Sequence, residues 1–198
     1  MNRSMTGVAF AASLLAAAAA GAAPAASGPF AFTGAQLGMT LHDWRALPFP
    51  AGGASRARPV CSGESEARSI KALRPAAAER KAGAVVCGYF ASYGRYQLPE
   101  GIRPGAGRKP VQVRYLFVRG RLSQIRYRAP LDTFAKVTAR LKAAYGRPAA
   151  IVRDRVSTEL GDLERVRMTW AAPGRTVVLT DPADAGLGLA VVLSGKPA

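Results

Sequence analysis

The sequence predicts an α+β protein in which helices pack on one face of an antiparallel sheet, with a further division into two helix-plus-four-strand units. Three observations carry this. Residues 111–128 hold two alternating runs, Val111, Val113, Tyr115, Phe117 and then Leu122, Ile125, Tyr127, on either side of Arg119-Gly120, which is the pattern of a β-hairpin. Residues 131–145 place Leu131, Phe134, Val137, Thr138, Leu141 and Tyr145 on one stripe at helical spacing. Short strand-like runs then follow to the C-terminus.

In chain order, residues 23–29 are Ala, Pro, Ser and Gly and read as a flexible lead-in. Thr40 is placed to cap a short helix over 41–47, with Asp43 at the third helical position, Leu41, Trp44 and Leu47 on a buried stripe, and Pro48 and Pro50 ending it. After a Gly, Ser and Arg loop, residues 59–62 form a short strand. Residues 64–83 are charged and alanine-rich, interrupted by Pro75, and predict a surface excursion. Residues 84–93 have the β-branched and aromatic content of a strand. Residues 97–110 hold three prolines and three glycines and read as a long functional loop. In the hairpin, the three-residue step from Leu122 to Ile125 breaks period two, so a bulge near Ser123 and Gln124 is expected; it returns Ile125 and Tyr127 to the core face and sends Arg114, Arg126 and Arg128 to the other. Gly146 and Pro148 end the long helix. Strands are expected at 149–153, 166–170, 176–180 and 187–193, with turns at Pro173-Gly174 and 181–186.

The N-terminus reads as an export signal: Arg3, an uncharged apolar stretch over 8–20, then small residues offering A-x-A cleavage after Ala22 or Ala25. A transmembrane anchor needs about 20 apolar residues, more than this run supplies. Residues 1–25 are thus expected to be removed, leaving about 170 residues as a single domain over 26–198, with sub-units at 30–129 and 130–195. The expected location is periplasmic or secreted.

Export shapes the reading of the cysteines. An even pair in an oxidising compartment, with no C-x-x-C and a single histidine, predicts a Cys61–Cys87 disulfide. The chain holds 28 Lys and Arg against 12 Asp and Glu, a formal net charge of +16, or +15 once Arg3 is removed. Such a charge attracts polyanions, and arginine favours bidentate contact with carboxylates or phosphates. The charges are spread along the chain, which also suits a composition bias on a solvated surface. Arg114, Arg126 and Arg128 with Arg103, Arg108 and Lys109 from the preceding loop make the candidate anion or partner surface, with Tyr93 and Tyr96 near for stacking. Export makes nucleic acid an unexpected partner; anionic polymers and lipid headgroups of the envelope remain.

No catalytic, cofactor-binding or metal-binding residue is expected. His42 and Asp43 are adjacent on a helix and point in different directions, so they make no dyad. The pairs Glu64 with Glu66, Asp162 with Glu164, and Asp181 with Asp184 fall in predicted loops or turns. Residues 101–107 are glycine-rich but lack G-K-[ST].

Leu37-Gly38-Met39-Thr40 followed by Trp44-Arg45-Ala46-Leu47 resembles the L-G-M-[ST]-x-x-[ED]-[VW]-x-x-L opening of BamE-like (SmpA/OmlA-type) bacterial envelope domains. The run Tyr115-x-Phe117-x-Arg119-Gly120-Arg121-Leu122-x-x-Ile125, the helix end Leu141-x-x-x-Tyr145-Gly146-x-Pro148 and Trp170 are similar to that group and to the β-lactamase-inhibitor-like fold. The resemblance implies a helix-on-sheet module that binds other envelope proteins rather than one that does chemistry. One departure is the signal, which lacks a lipobox cysteine; the first cysteine is Cys61. An inhibitor of an extracytoplasmic enzyme is the alternative, and it requires aromatic anchors such as Trp44, Trp170 and Tyr115 to be exposed.

Overall fold

Period-two alternation governs most of the chain, and the structure follows it. The computed structural model describes residues 31–49, 56–94, 96–102, 111–158, 161–183 and 188–195. The expected signal over 1–25, the candidate residues Arg103, Arg108 and Lys109, and Asp184 lie outside the described residues.

The elements are β1 (Ala31–Phe32), β2 (Ala35–Gln36), α1 (Leu41–Ala46), β3 (Arg58–Cys61), α2 (Ala77–Lys81), β4 (Val85–Tyr93), β5 (Tyr96–Pro99), β6 (Gln112–Val118), β7 (Arg121–Ala129), α3 (Phe134–Tyr145), β8 (Ala150–Thr158), β9 (Gly161–Ala172), β10 (Arg175–Asp181) and β11 (Leu189–Gly195). Among the described residues, nine strands form one antiparallel sheet in the order β3-β4-β6-β7-β11-β10-β9-β8, with β5 also paired to β4. This corrects the expected α+β class. The fold is dominated by its sheet, and the described helices are three short segments of 6, 5 and 12 residues. The strands before the long helix (β3, β4, β6, β7, with β5) and those after it (β11, β10, β9, β8) occupy separate halves of this sheet, and the halves are joined where β7 pairs with β11, the last strand. That pairing spans some 60 residues and leaves no trace in local periodicity.

On the core face, α1 and α3 supply plugs rather than a layer. The Thr40 hydroxyl accepts the Asp43 N–H at 3.1 Å and caps α1. The helix buries Trp44 completely, with its ring 4.8 Å from Tyr115, 5.4 Å from Tyr89 and 5.5 Å from Phe117. From α3 come Leu141 and Thr138, and Gly146, at its end, accepts the Trp170 Nε1–H at 2.9 Å. Phe32 stacks on Tyr127 at 4.6 Å.

The predicted hairpin and its bulge are present. Arg119 and Gly120 both have positive φ, 52° and 75°, as a two-residue type I′ turn requires. The register shifts between Leu116, opposite Gln124, and Phe117, opposite Leu122, so Ser123 is the extra residue. Its hydroxyl donates to the Leu116 carbonyl at 3.1 Å, giving that oxygen a partner where the ladder is interrupted. Leu122, Ile125 and Tyr127 are consequently buried on the same face.

Cys61 and Cys87 stand directly opposite each other, Cα atoms 4.1 Å apart, and are joined by a disulfide. The Ser62 N–H donates to the Val86 carbonyl at 2.8 Å, so the cystine occupies the adjacent non-hydrogen-bonded site, where side chains come closest.

Two further expectations change. Residues 64–83 are not a surface excursion: Ala67, Ile70 and Leu73 are buried with Val60, Val86 and Phe90 in a second cluster that roofs the opposite sheet face over β3 and β4. Asp162 and Glu164 sit on β9 rather than in a loop, because β8 and β9 run past the sheet as a two-stranded ribbon. Cross-strand pairs hold it: Arg165 reaches both Asp154 oxygens, at 2.7 and 2.6 Å, and Arg153 meets Glu164 at 2.8 Å. The Arg165 bonds keep the Asp154 carboxyl below its ordinary range.

Candidate anion-binding face

The sheet face opposite Trp44 is only half covered. Beyond the roof formed by residues 64–83, the outward residues of β6, β7, β11 and β10 are open, and the register fixes who stands beside whom. Arg114 is opposite Arg126, and Gln112 opposite Arg128. Continuing across the sheet, Arg128 is followed by Ala190, Thr180 and Arg167 in one row. Arg126 is followed by Val192, Val178 and Thr169. Among the described residues, β6, β7, β10 and β11 place no carboxylate on this face. The result is a ridge of three arginines beside a shallow trough floored by Ala190, Val192 and Thr180, with a fourth arginine on its far side.

Clefts border the ridge on both sides. One, of about 360 Å³, lies where β4 leaves β6 and turns to pair with β5; its walls include Arg114, Arg126 and Arg128 with Leu73, Phe90 and Val113. The other, of about 280 Å³, is the trough itself, reaching Ala183.

The arginines differ in their engagement. Arg126 forms an ion pair with Glu79 of α2 at 3.4 Å and a hydrogen bond to Gln124. Arg114 donates one Nη to the Arg74 carbonyl at 3.3 Å, while its Nε is buried without a hydrogen-bond partner. Burial lowers the Arg114 pKa from its ordinary value; Glu79 opposes the shift, and Arg126 and Arg128 add to it. Arg128 has no ion-pair partner among the described residues. Two carboxylates approach the ridge, Glu79 and, across the mouth of the larger cleft, Glu100. An arginine cluster with like charges adjacent and a donor unsatisfied gains by accepting an anion.

No family model, curated protein or solved structure gives a significant match to the chain. The site therefore has to be judged from its own geometry.

Sequence alternation placed Arg114, Arg126 and Arg128 on one face, and the structure brings them together. It adds residues that the sequence reading did not select: Gln112, Arg167, Glu79, and the apolar floor of Leu73 and Phe90. Arg167 could have been found from its place two residues from Thr169 within the β9 alternation. Glu79 could not, since its approach depends on how 64–83 folds back. Tyr93 and Tyr96 are exposed and directly paired at the tip of the β4–β5 hairpin, with exposed Leu98 nearby. The anchors that an inhibitor would present are interior instead: Trp44, Tyr115 and Trp170 are at most 2% exposed.

His42 is exposed on α1, and Asp43 beside it is held by the Thr40 hydroxyl at 2.7 Å. Burial pushes the Tyr89 phenol up to about 12, and those of Tyr115 and Tyr127 higher still, so these hydroxyls stay protonated at neutral pH. At the end of β10, burial raises the Asp181 carboxyl above its ordinary value, and its Oδ1 has no hydrogen-bond partner. No helix among the described residues is long and apolar enough to cross a membrane.

Proposed function

We propose that this protein is an exported, non-enzymatic binding module of the bacterial cell envelope, and that it engages an anionic envelope component through the open arginine face. The observation that carries the reading is the row geometry: Arg114, Arg126 and Arg128 abut one another on strands that place no carboxylate on this face, and Arg167 of β9 faces them across small side chains. Glu79 is the one described carboxylate that forms an ion pair with the ridge; the others that pair do so with arginines elsewhere, Glu64 with Arg45, Glu66 with Arg58, Glu164 with Arg153 and Asp154 with Arg165. The expected export signal and the disulfide are compatible with an envelope setting, where phosphate-bearing and carboxylate-bearing polymers are the abundant polyanions.

Binding of lipopolysaccharide or heparin to the purified protein tests the reading. Affinity should fall at least ~10-fold between ~50 and ~200 mM salt, because each neutralised anionic group releases counterions. Changing Arg114, Arg126 and Arg128 together to Gln should lower the slope of log affinity against log salt by roughly 2 to 3, at ~0.7 to 0.9 per lost contact. Affinity that ignores salt, or a triple variant that binds like the parent, overturns the proposal.

A further inference from the structure

The larger cleft has a division of character that polyanion binding does not require. β4 pairs with β6 through Val85, Val86 and Cys87, and from Phe90 onward it pairs with β5. At that fork stands Gly88, whose backbone is not in a left-handed conformation but whose surroundings leave little room. A Cβ there would sit 3.1 Å from Phe90 Cε2 and 3.3 Å from the Val113 carbonyl oxygen, with Leu73 Cδ2 at 3.7 Å. A side chain at this position would project into the floor, so the missing one keeps the cleft deep. The floor is apolar, formed by Leu73 and Phe90 with the Val113 carbonyl beside Gly88, whereas Arg114, Arg126 and Arg128 share the wall. Above the mouth, the β4–β5 hairpin exposes Tyr93, Tyr96 and Leu98.

We infer that this cleft binds a small amphipathic anion, a phosphate or carboxylate head on a short aliphatic body. The inference rests on the anion-binding reading above and specifies its ligand. The head is directed to Arg128, which is exposed and has no ion-pair partner among the described residues, with Arg114 beside it on the wall. Glu79 already occupies Arg126, and Glu100 across the mouth repels an anion that leaves the arginine wall. The body lies along the Leu73 and Phe90 floor, where removing each methylene from water multiplies affinity by about four. A cavity of about 360 Å³ is at the small end for ligand sites. It has room for about a dozen water-sized groups, so the ligand is of the size of octyl phosphate rather than of a two-chain lipid.

Calorimetric titration with ethyl, butyl, hexyl and octyl phosphate, below micelle-forming concentrations, tests the inference on the unmodified protein. Octyl phosphate should bind at least ~10-fold tighter than ethyl phosphate, which carries the same head. Arg128→Gln, a change at an exposed position, should weaken every member of the series by a similar factor, about 10-fold. Gly88→Val should remove the dependence on chain length while leaving ethyl phosphate binding in place; if that variant does not fold, the chain-length series and Arg128→Gln decide the matter alone. Equal affinity along the series, absence of octyl phosphate binding, or indifference to Arg128→Gln overturns the inference. Should salt-dependent polymer binding persist in any of those cases, the envelope reading stands and only the amphipathic ligand is lost. Octyl phosphate binding without polymer binding would have the opposite meaning.

Discussion

Replacing Trp44 with alanine is expected to destabilise the protein by about 3 to 5 kcal/mol, the cost of deleting a large buried aromatic side chain and leaving a cavity. The site cannot close over the gap. Trp44 is fully buried, and its three aromatic neighbours come from β4 and β6, whose positions are fixed by ladder hydrogen bonds. It is also the only buried residue of α1, so the helix loses its attachment with the side chain. A domain of this size has only about 5 to 15 kcal/mol in total, and its melting temperature should fall by about 10 °C. Trp44→Phe keeps aromatic contacts with Tyr115 and Phe117 and should cost less than half as much. Thermal melts of the two variants check this; equal, small shifts for both would mean that α1 is not anchored by its tryptophan.

Opening the Cys61–Cys87 disulfide should cost about 3 kcal/mol. The cysteines are 26 residues apart, and closing a loop of that length removes roughly 3.5 kcal/mol of unfolded-chain entropy in the simplest treatment, with less retained if the bond constrains the native strands. The consequence is local as well as global. β3 is an edge strand of four residues, and the enclosed loop carries Ala67, Ile70, Leu73 and Glu79, which make the roof and one wall of the arginine face. Denaturant titration with and without dithiothreitol, and of the Cys61→Ala, Cys87→Ala double variant, should show matching losses. An unchanged midpoint would mean that the second hydrophobic cluster holds β3 without the bond.

How much of this could be read beforehand depended on whether the signal was local. The β6–β7 hairpin, its bulge and the opposing arginine face followed from one break in a period-two pattern, because a single inserted residue exchanges the faces of everything beyond it. The disulfide followed from the expected export and the even count of cysteines. The dominance of the sheet did not, since it depends on the two halves joining where β7 pairs with β11, a non-local pairing. Residues 64–83 misled because Ala67, Ile70 and Leu73 recur every three residues among charges; that is the spacing of a 3-10 turn, and the structure places such turns at Ser65–Ser69 and Lys71–Leu73. Strands were expected at 149–153 and 166–170, but the extension of β8 and β9 beyond them into a ribbon was not, because it is held by Arg–carboxylate pairs rather than by apolar alternation. Of the site, the arginines were legible and the apolar cleft beside them was not.

The central claim is that the arginine face is where this protein meets its ligand, and backbone amide chemical-shift mapping tests it most directly. On titration with lipopolysaccharide-derived polyanion at low salt, the largest shifts should fall on Gln112, Arg114, Arg126, Arg128, Ala190 and Arg167, and should vanish as salt is raised. Shifts confined to the β8–β9 ribbon or to α1, or spread evenly over every exposed arginine, would contradict the account.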